Sequence, residues 1–337
     1  MHGWVRWRTA MQRALYGEGG FYRRGERPAA HFRTSVHASP RFAEAVARLL
    51  AQVDAALGHP PRLDLVDVGA GCGELLVRVL QAARPDLAER LAPVAVELAP
   101  RPAELPERIG WRAALPDAVT GLIIANEWLD NIPLDVVELT PEGPRLVLVD
   151  PATGAERLGP PPAEEDLAWL ERWWPLTNPG DRAEIGRPRC TAWSDVLTRL
   201  RAGLAVAIDY SHTRRDRPAH GTLTGYRDGR VVPPVPDGSC DITAHVALDA
   251  CAAAGVRAGA AATALTTQRR ALRALGLTGA RPPIRLAHQD PRGYVLALRR
   301  AGEEAELIDP AGLGGFGWLA QARRIPLPEP LAECATA

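Results

Sequence analysis

Residues 63–75 read LDLVDVGAGCGEL, an apolar run that carries an acid at Asp67 and passes into glycines at every second position, Gly69, Gly71 and Gly73. Leu63, Leu65, Val66 and Val68 form the short, largely apolar run expected of a strand covered on both faces in a parallel sheet. The glycines supply a backbone that takes unusual dihedrals and lets a ligand approach with no Cβ in the way. From Glu74 a helical pattern begins, with Leu75, Leu76, Val79 and Leu80 on one face. A dinucleotide fingerprint is G-x-G-x-x-G, with the helix N-terminus facing a pyrophosphate. Here the third glycine comes one position early, and Glu74 stands beside the place a phosphate would take, where its carboxylate would repel it. The pattern D-x-G-x-G-x-G from Asp67 to Gly73 suits S-adenosylmethionine instead, whose amino acid and ribose pass over the turn with no phosphate to bind. A purely structural glycine turn is the alternative at this point.

Downstream, PVAVELAP (93–100) is a second strand ending in Glu97. It lies about two dozen residues beyond the glycines, where a nucleotide-binding βαβ unit places an acid for the ribose hydroxyls. A third run, GLIIANEWLDNIPLDVVEL, starts at Gly121 and turns polar. Ligands of open parallel sheets bind at the carboxyl ends of the strands, so Asn126, Glu127 and Asp130 are expected in the same crevice as the glycines. The plainer alternative is that Asp130 caps a turn and Asn126 bonds backbone. LAVAIDYS (204–211) is a further buried strand, ending in Asp209 and Tyr210. The polar excursion after it carries turn signals at Asp228-Gly229 and Asp237-Gly238. His245, with Asp241, is a candidate base or metal ligand, but His212, His220 and His245 lack compact ligand spacing and no metal is expected.

Residues 140–203 break the α/β rhythm; Leu167, Leu170 and Trp174 at helical spacing suggest an inserted helical cap. Upstream, residues 1–60 read as a short helix, a loop packed over the active site, and a helix with Ser39 as cap and Pro40 in its first turn. Helical patterns also run through Ala247–Ala254 and TTQRRALRALGL, GYVLALRR (293–300) reads as the last strand, and the Gly- and Pro-rich 301–337 reads as a surface tail. The expected fold is α/β: a Rossmann-like sheet from 61–139 and 204–300 with helices on both faces, plus the inserted cap.

The 40 basic residues balance the 40 acidic ones, so no global field argues for nucleic acid or an anionic membrane. The basic side chains other than histidine are all arginine, which excludes lysine Schiff-base chemistry. Five scattered cysteines without a C-x-x-C pair argue against a zinc module or disulfide scaffold. No apolar run is long enough to span a membrane, and a cytoplasmic protein is expected.

GGFYRRG…HFRTSVHAS, VDVGAGCGELL, VELAP, ANEWLDNIPLDVV, IDYS and CDITAHV occur here in one order. In that order and at about those separations they resemble the MidA-like methyltransferases, a class I S-adenosylmethionine-dependent family. It includes the mitochondrial factor that methylates an arginine of a complex I subunit during assembly. The resemblance covers residues from about 12 to about 300. It implies a cofactor turn at Gly69, Gly71 and Gly73, a ribose acid at Glu97, and a post-strand motif at Asn126, Glu127 and Asp130. The family's T-S-P-E segment is altered, with His31, Val36 and His37 here. For an arginine acceptor, Glu127 is the expected carboxylate, Asn126 or Asp130 completes the clamp, and Asp209, Tyr210 and His245 are further candidates for substrate contact. A small-molecule O- or N-methyltransferase, and a non-catalytic assembly factor that keeps the fold, are the other readings.

Overall fold

A computed structural model describes residues 3–23 and 34–334. His31 and Phe32 lie outside the described residues. The central sheet has seven strands: β1 (Leu63–Val68), β2 (Leu91–Val96), β3 (Gly110–Arg112), β4 (Val119–Asn126), β5 (Leu200–Asp209), β6 (Ala262–Thr267) and β7 (Gly317–Arg323). Their order is β6-β7-β5-β4-β1-β2-β3. β1 to β5 pair in parallel, and β7 runs antiparallel to both β5 and β6. From β1 the chain steps outward to β2 and β3, then returns to β4 on the other side. That reversal opens a crevice between the carboxyl ends of β1 and β4, the place where such sheets take ligands.

The principal helices are α1 (Trp7–Tyr16), α2 (Pro40–Ala56), α3 (Glu74–Ala82), α4 (Arg187–Arg199), α5 (Leu248–Arg257), α6 (Gln268–Ala274) and α7 (Pro291–Leu307). Alternate side chains of each strand serve opposite faces. Leu63 and Leu65 of β1 and Leu122 and Ile124 of β4 pack with α2, α3 and α6, whereas Val66, Val68, Ile123 and Ala125 pack with α4 and α5. α2 starts as its sequence suggests: Pro40 is its first residue, and the Ser39 hydroxyl accepts from the Arg41 amide at 3.0 Å.

Three expectations change. The span 140–203 is not a helical cap. The strands Val136–Thr140, Gly143–Val149, Glu156–Leu158 and Arg182–Glu184 form an antiparallel sheet that Val5–Arg6 joins from the N-terminal side. Apolar, mostly β-branched runs on either side of Pro141-Glu142-Gly143 favour a hairpin there. Trp7, Met11 and Leu15 of α1 close this sheet into a separate core with Val136, Val147 and Val149. Within the same span the helix Glu164–Trp173 is present, while α4 belongs to the main domain as the crossover into β5.

Residues 293–300 are helical, inside α7. Asp290 caps that helix by accepting from the Gly293 amide at 2.9 Å, Pro291 opens it, and Val295, Leu296 and Leu298 face outward. The strand they were expected to form comes from the stretch read as a tail. β7 lies between β5 and β6 with Trp318, Leu319, Ala320 and Ala322 fully buried. Its polar member, Gln321, is also buried and satisfied: it accepts from Trp193 Nε1 at 2.7 Å and donates to the Ala252 carbonyl and Thr263 Oγ1, both at 2.9 Å. Trp318→Ala is expected to destabilise the protein by about 3–5 kcal/mol, the usual cost of deleting a large aromatic core side chain, read as a lower midpoint in urea. Among the described residues no helix is long and apolar enough to cross a membrane.

Candidate functional site

A cavity of about 400 Å³ lies at the carboxyl ends of the central strands, lined by the glycine turn and by the residues after β4. All three glycines of the turn take positive φ: 72° at Gly69, 56° at Gly71 and 83° at Gly73. A Cβ on Gly69 would stand 2.9 Å from the Trp128 ring and one on Gly73 2.8 Å from Leu105, so these two are packed against protein. Apart from its chain neighbours, one on Gly71 would meet nothing nearer than Glu74 Oε2 at 3.9 Å, and Gly71 lines the cavity.

Glu97 follows β2 and is tied to this turn. Its Oε2 accepts from the Gly71 amide at 3.1 Å, and Oε1 accepts from the amides of Leu98 at 2.6 Å and Ala99 at 3.0 Å. Beyond it, Leu98, Ala113, Ala114 and Leu115 make an apolar end to the cavity. Glu74 turns back onto the start of its own helix: Oε2 accepts from the Cys72 amide at 3.2 Å, and Oε1 lies 3.4 Å from His37 Nε2. Burial pushes the Glu74 carboxyl up, but hydrogen bonds from His37 and from backbone amides outweigh it and leave the group below its ordinary value. An acid thus occupies the amide that a pyrophosphate would need. Asp67 is buried at the foot of the turn, where burial, followed by the charges of Glu97 and Glu74, raises it to about 8.

These features fit S-adenosylmethionine. The open side of Gly71 admits a ligand against the backbone, Glu97 is placed for ribose hydroxyls, the apolar end suits a base, and Asp67 is a buried acid that a cationic group would favour.

Beside the glycine turn, the chain leaving β4 makes a sharp corner. Glu127 takes φ of 54°, uncommon for a residue with a Cβ, while its amide donates to the Ile208 carbonyl at 2.8 Å. Glu127 Oε1 accepts from Asn126 Nδ2 at 3.0 Å and from the Ser35 amide at 3.2 Å. Burial, with Asp130 as the nearest like charge, pushes the Glu127 carboxyl to about 8. Asp130 sits in the turn Leu129–Asn131; its Oδ2 accepts from Thr243 Oγ1 at 2.6 Å, and its carbonyl accepts from the buried Arg189 of α4. Burial raises Asp130 as well, against the opposing pull of Thr243 and Arg189. Asn126, Glu127 and Asp130 all line the cavity, together with Tyr210.

Asp209 and His245 do not. Asp209, 1% exposed, lies beneath the wall and accepts from the amides of Leu129 at 2.9 Å and Asp130 at 3.2 Å, holding the turn that carries Asp130. His245 stacks behind Tyr210 with ring centroids 5.7 Å apart. The wall instead contains Tyr16 and Tyr22 from the N-terminal segment and Tyr226 from the excursion after β5, which sequence reasoning did not place there, and Asp241, which it names beside His245 as a candidate base. Tyr16 and Tyr22 stack at 5.6 Å. The aromatic content of the N-terminal segment was visible, but nothing in its spacing says which rings turn inward. For Leu98 a signal existed, since it directly follows Glu97, the acid expected at the ribose.

Residues 45–266 match a family model described as "Putative S-adenosyl-L-methionine-dependent methyltransferase". No curated protein is matched by this sequence. Two crystal structures from Burkholderia thailandensis, both of one superfamily, are similar over 99% of this chain and 92% of theirs. One, titled a "likely methyl transferase" and bound to S-adenosyl-homocysteine, is 29% identical with a TM-score of 0.80; the other, a native form, is 30% identical with a TM-score of 0.81. With the glycine turn, Glu97 at the end of β2 and the strand order already in place, this chain belongs to that family of S-adenosyl-L-methionine-dependent methyltransferases.

Proposed function

We propose that the methyl acceptor is a guanidinium nitrogen of an arginine side chain in a protein, as the resemblance to the MidA-like enzymes implies. The observation that carries this reading is the composition of the cavity wall outside the glycine turn. It presents Glu127, Asp130 and Asp241 among four tyrosines, Tyr16, Tyr22, Tyr210 and Tyr226. Among the described lining residues Arg199 is the only arginine, and it is engaged by Asp117 at 2.8 Å and Asp195 at 3.5 Å. Carboxylates and aromatic faces together favour a cation.

When bound, S-adenosylmethionine supplies a methyl group on a positively charged sulfur. Transfer discharges that sulfur, so the chain has no new anion to stabilise, and its main tasks are alignment and exclusion of water. A guanidinium is charged at any usable pH and delocalises its lone pairs. A carboxylate that accepts from two of its nitrogens draws positive charge toward them and leaves the third the better nucleophile. Glu127 has the position for this, with Oε1 fixed by Asn126 and Ser35. One proton must leave the methylated nitrogen, and Glu127 or Asp130, both with raised proton affinity, is placed to take it.

The test is incubation with methyl-labelled S-adenosylmethionine and a lysate of the source organism, followed by acid hydrolysis of the protein fraction. Label in methylarginine supports the reading; label in small molecules, or in no acceptor, overturns it.

The raised carboxylates also set a pH dependence. Asp67 and Glu127 at about 8 and Asp241 at about 7 hold protons in the folded protein that they release in the ordinary carboxylate range when unfolded. The stability this lends is fully present below about pH 4 and is lost as pH rises through about 7 to 8. A cation in the cavity favours the ionised carboxylates. The rise in melting temperature caused by S-adenosylmethionine is therefore expected to be larger at about pH 8.5 than at about pH 6, checked by thermal unfolding with and without cofactor.

A further inference from the structure

Asp241 has no part in the clamp described above, yet it is a buried carboxylate of the cavity wall held by side chains from two distant segments. It is 2% exposed and lines the cavity. Its Oδ1 accepts from Tyr22 Oη at 3.0 Å and from Asn131 Nδ2 at 2.9 Å. Those partners come from segments far apart in sequence, the N-terminal segment and the turn after β4. Tyr22 in turn stacks on Tyr16, whose hydroxyl donates to the Asn131 carbonyl at 3.2 Å. The arrangement is a ring of contacts around one buried acid, and among the described residues that acid forms no ion pair.

We propose that Asp241 is a specificity-determining contact for the acceptor: set by Tyr22 and Asn131, it receives the cationic end of the substrate alongside Glu127, and so selects a delocalised cation over a neutral hydroxyl or amine. This rests on the arginine reading above. A guanidinium spreads five N–H donors over a rigid plane and can serve two carboxylates at once, whereas a hydroxyl has a single donor. Burial is the largest cause that raises these acids, and they also feel one another: Asp130 and Asp241 both raise Glu127, and Asp130 raises Asp241. Without a cation, their mutual repulsion is relieved by taking up protons. With one, the protons leave.

Acceptor binding should therefore strengthen as pH rises through the range in which Asp241 ionises. The groups that face it are Tyr16 and Tyr22 from the N-terminal segment, Glu127 and Asp130 after β4, and Tyr226, its cross-strand partner on Thr224–Arg227, with Arg189 of α4 behind Asp130. The phenols sit above their ordinary values, burial being the largest cause, and stay neutral throughout; that leaves Glu127 and Asp130 as the other titrating acids.

The experiment titrates N-acetyl-arginine methylamide into the full chain saturated with S-adenosylhomocysteine, from about pH 5.5 to 9, for wild type, Asp241→Asn and Tyr22→Phe. Asparagine keeps an oxygen for Tyr22 and Asn131 and removes only the charge. The expected result is that Asp241→Asn weakens probe binding at about pH 8 by about tenfold or more, flattens the rise near pH 7, and leaves S-adenosylhomocysteine affinity within about threefold. Tyr22→Phe removes a donor to the ionised form, so its binding rise should move to higher pH. Equal probe affinity and pH profile in Asp241→Asn and wild type overturn the inference. Should that variant not fold, an unmoved profile in Tyr22→Phe does the same. Wild type that binds S-adenosylhomocysteine but no probe at any pH overturns the arginine reading itself.

Discussion

Glu127→Gln is expected to lower methyl transfer by about a hundredfold or more while S-adenosylmethionine affinity stays within about threefold of wild type. Glutamine is the same size, and its amide oxygen keeps the hydrogen bonds from Asn126 Nδ2 and the Ser35 amide. What disappears is the negative charge that polarises the acceptor and takes up its proton. The corner at φ of 54° stays as it is, because the backbone amide of residue 127 remains on the Ile208 carbonyl. Gly69, Gly71, Gly73 and Glu97, the residues expected to hold the cofactor, are left unaltered, so titration calorimetry should barely change. Transfer of label at a near-normal rate would remove Glu127 from the chemistry.

The second large effect is the reverse one. Gly71→Val should reduce S-adenosylmethionine affinity by at least about a hundredfold while the protein still folds. Apart from its chain neighbours, the nearest protein atom to a Cβ at this position is Glu74 Oε2 at 3.9 Å, and Gly71 lines the cavity in which the cofactor is expected. Its φ of 56° costs a β-branched residue roughly 1–3 kcal/mol, a penalty the fold should survive with a lower melting temperature. Substitutions at Gly69 or Gly73 would mix the two effects, since a Cβ there runs into Trp128 or Leu105. Circular dichroism and cofactor titration on the same Gly71→Val sample separate folding from binding; cofactor binding at wild-type strength would show that the ligand does not cross this turn.

The parts of the molecule that could be read in sequence are those where local pattern and tertiary role agree. β1, the glycine turn and α3 form a continuous stretch whose burial, dihedrals and helix start all follow from residue type, and Glu97 and Asn126 to Asp130 follow from it by the logic of strand ends. The acceptor wall was half visible. Its post-strand motif stood out, but Asp241, Tyr16 and Tyr22 reach the cavity from separate excursions, and only packing decides which way those side chains turn. Asp209 misled for a related reason: an acid at a strand end has the same sequence signature whether it faces ligand or, as here, caps a turn beneath it. The last strand failed on composition. The Gly- and Pro-rich composition around GWLAQAR made it look like a surface segment, while Val295, Leu296 and Leu298 gave an exposed helix the look of a buried strand.

The position of β7 governs the order in which the molecule can be assembled. It pairs with β5 from Gly203↔Arg323 to Asp209↔Gly317, joining residues more than a hundred positions apart. On the ribosome, β1 to β5 and every residue of the acceptor wall emerge first. Through that interval β5 carries a bare, apolar edge in what will be the middle of the sheet, a template for pairing with the wrong strand or another chain. Closure at such sequence separation is slow compared with local helix formation. Nascent chains stopped just short of Gly317 should therefore be aggregation-prone and held by chaperones, although each cofactor-binding residue has already been made.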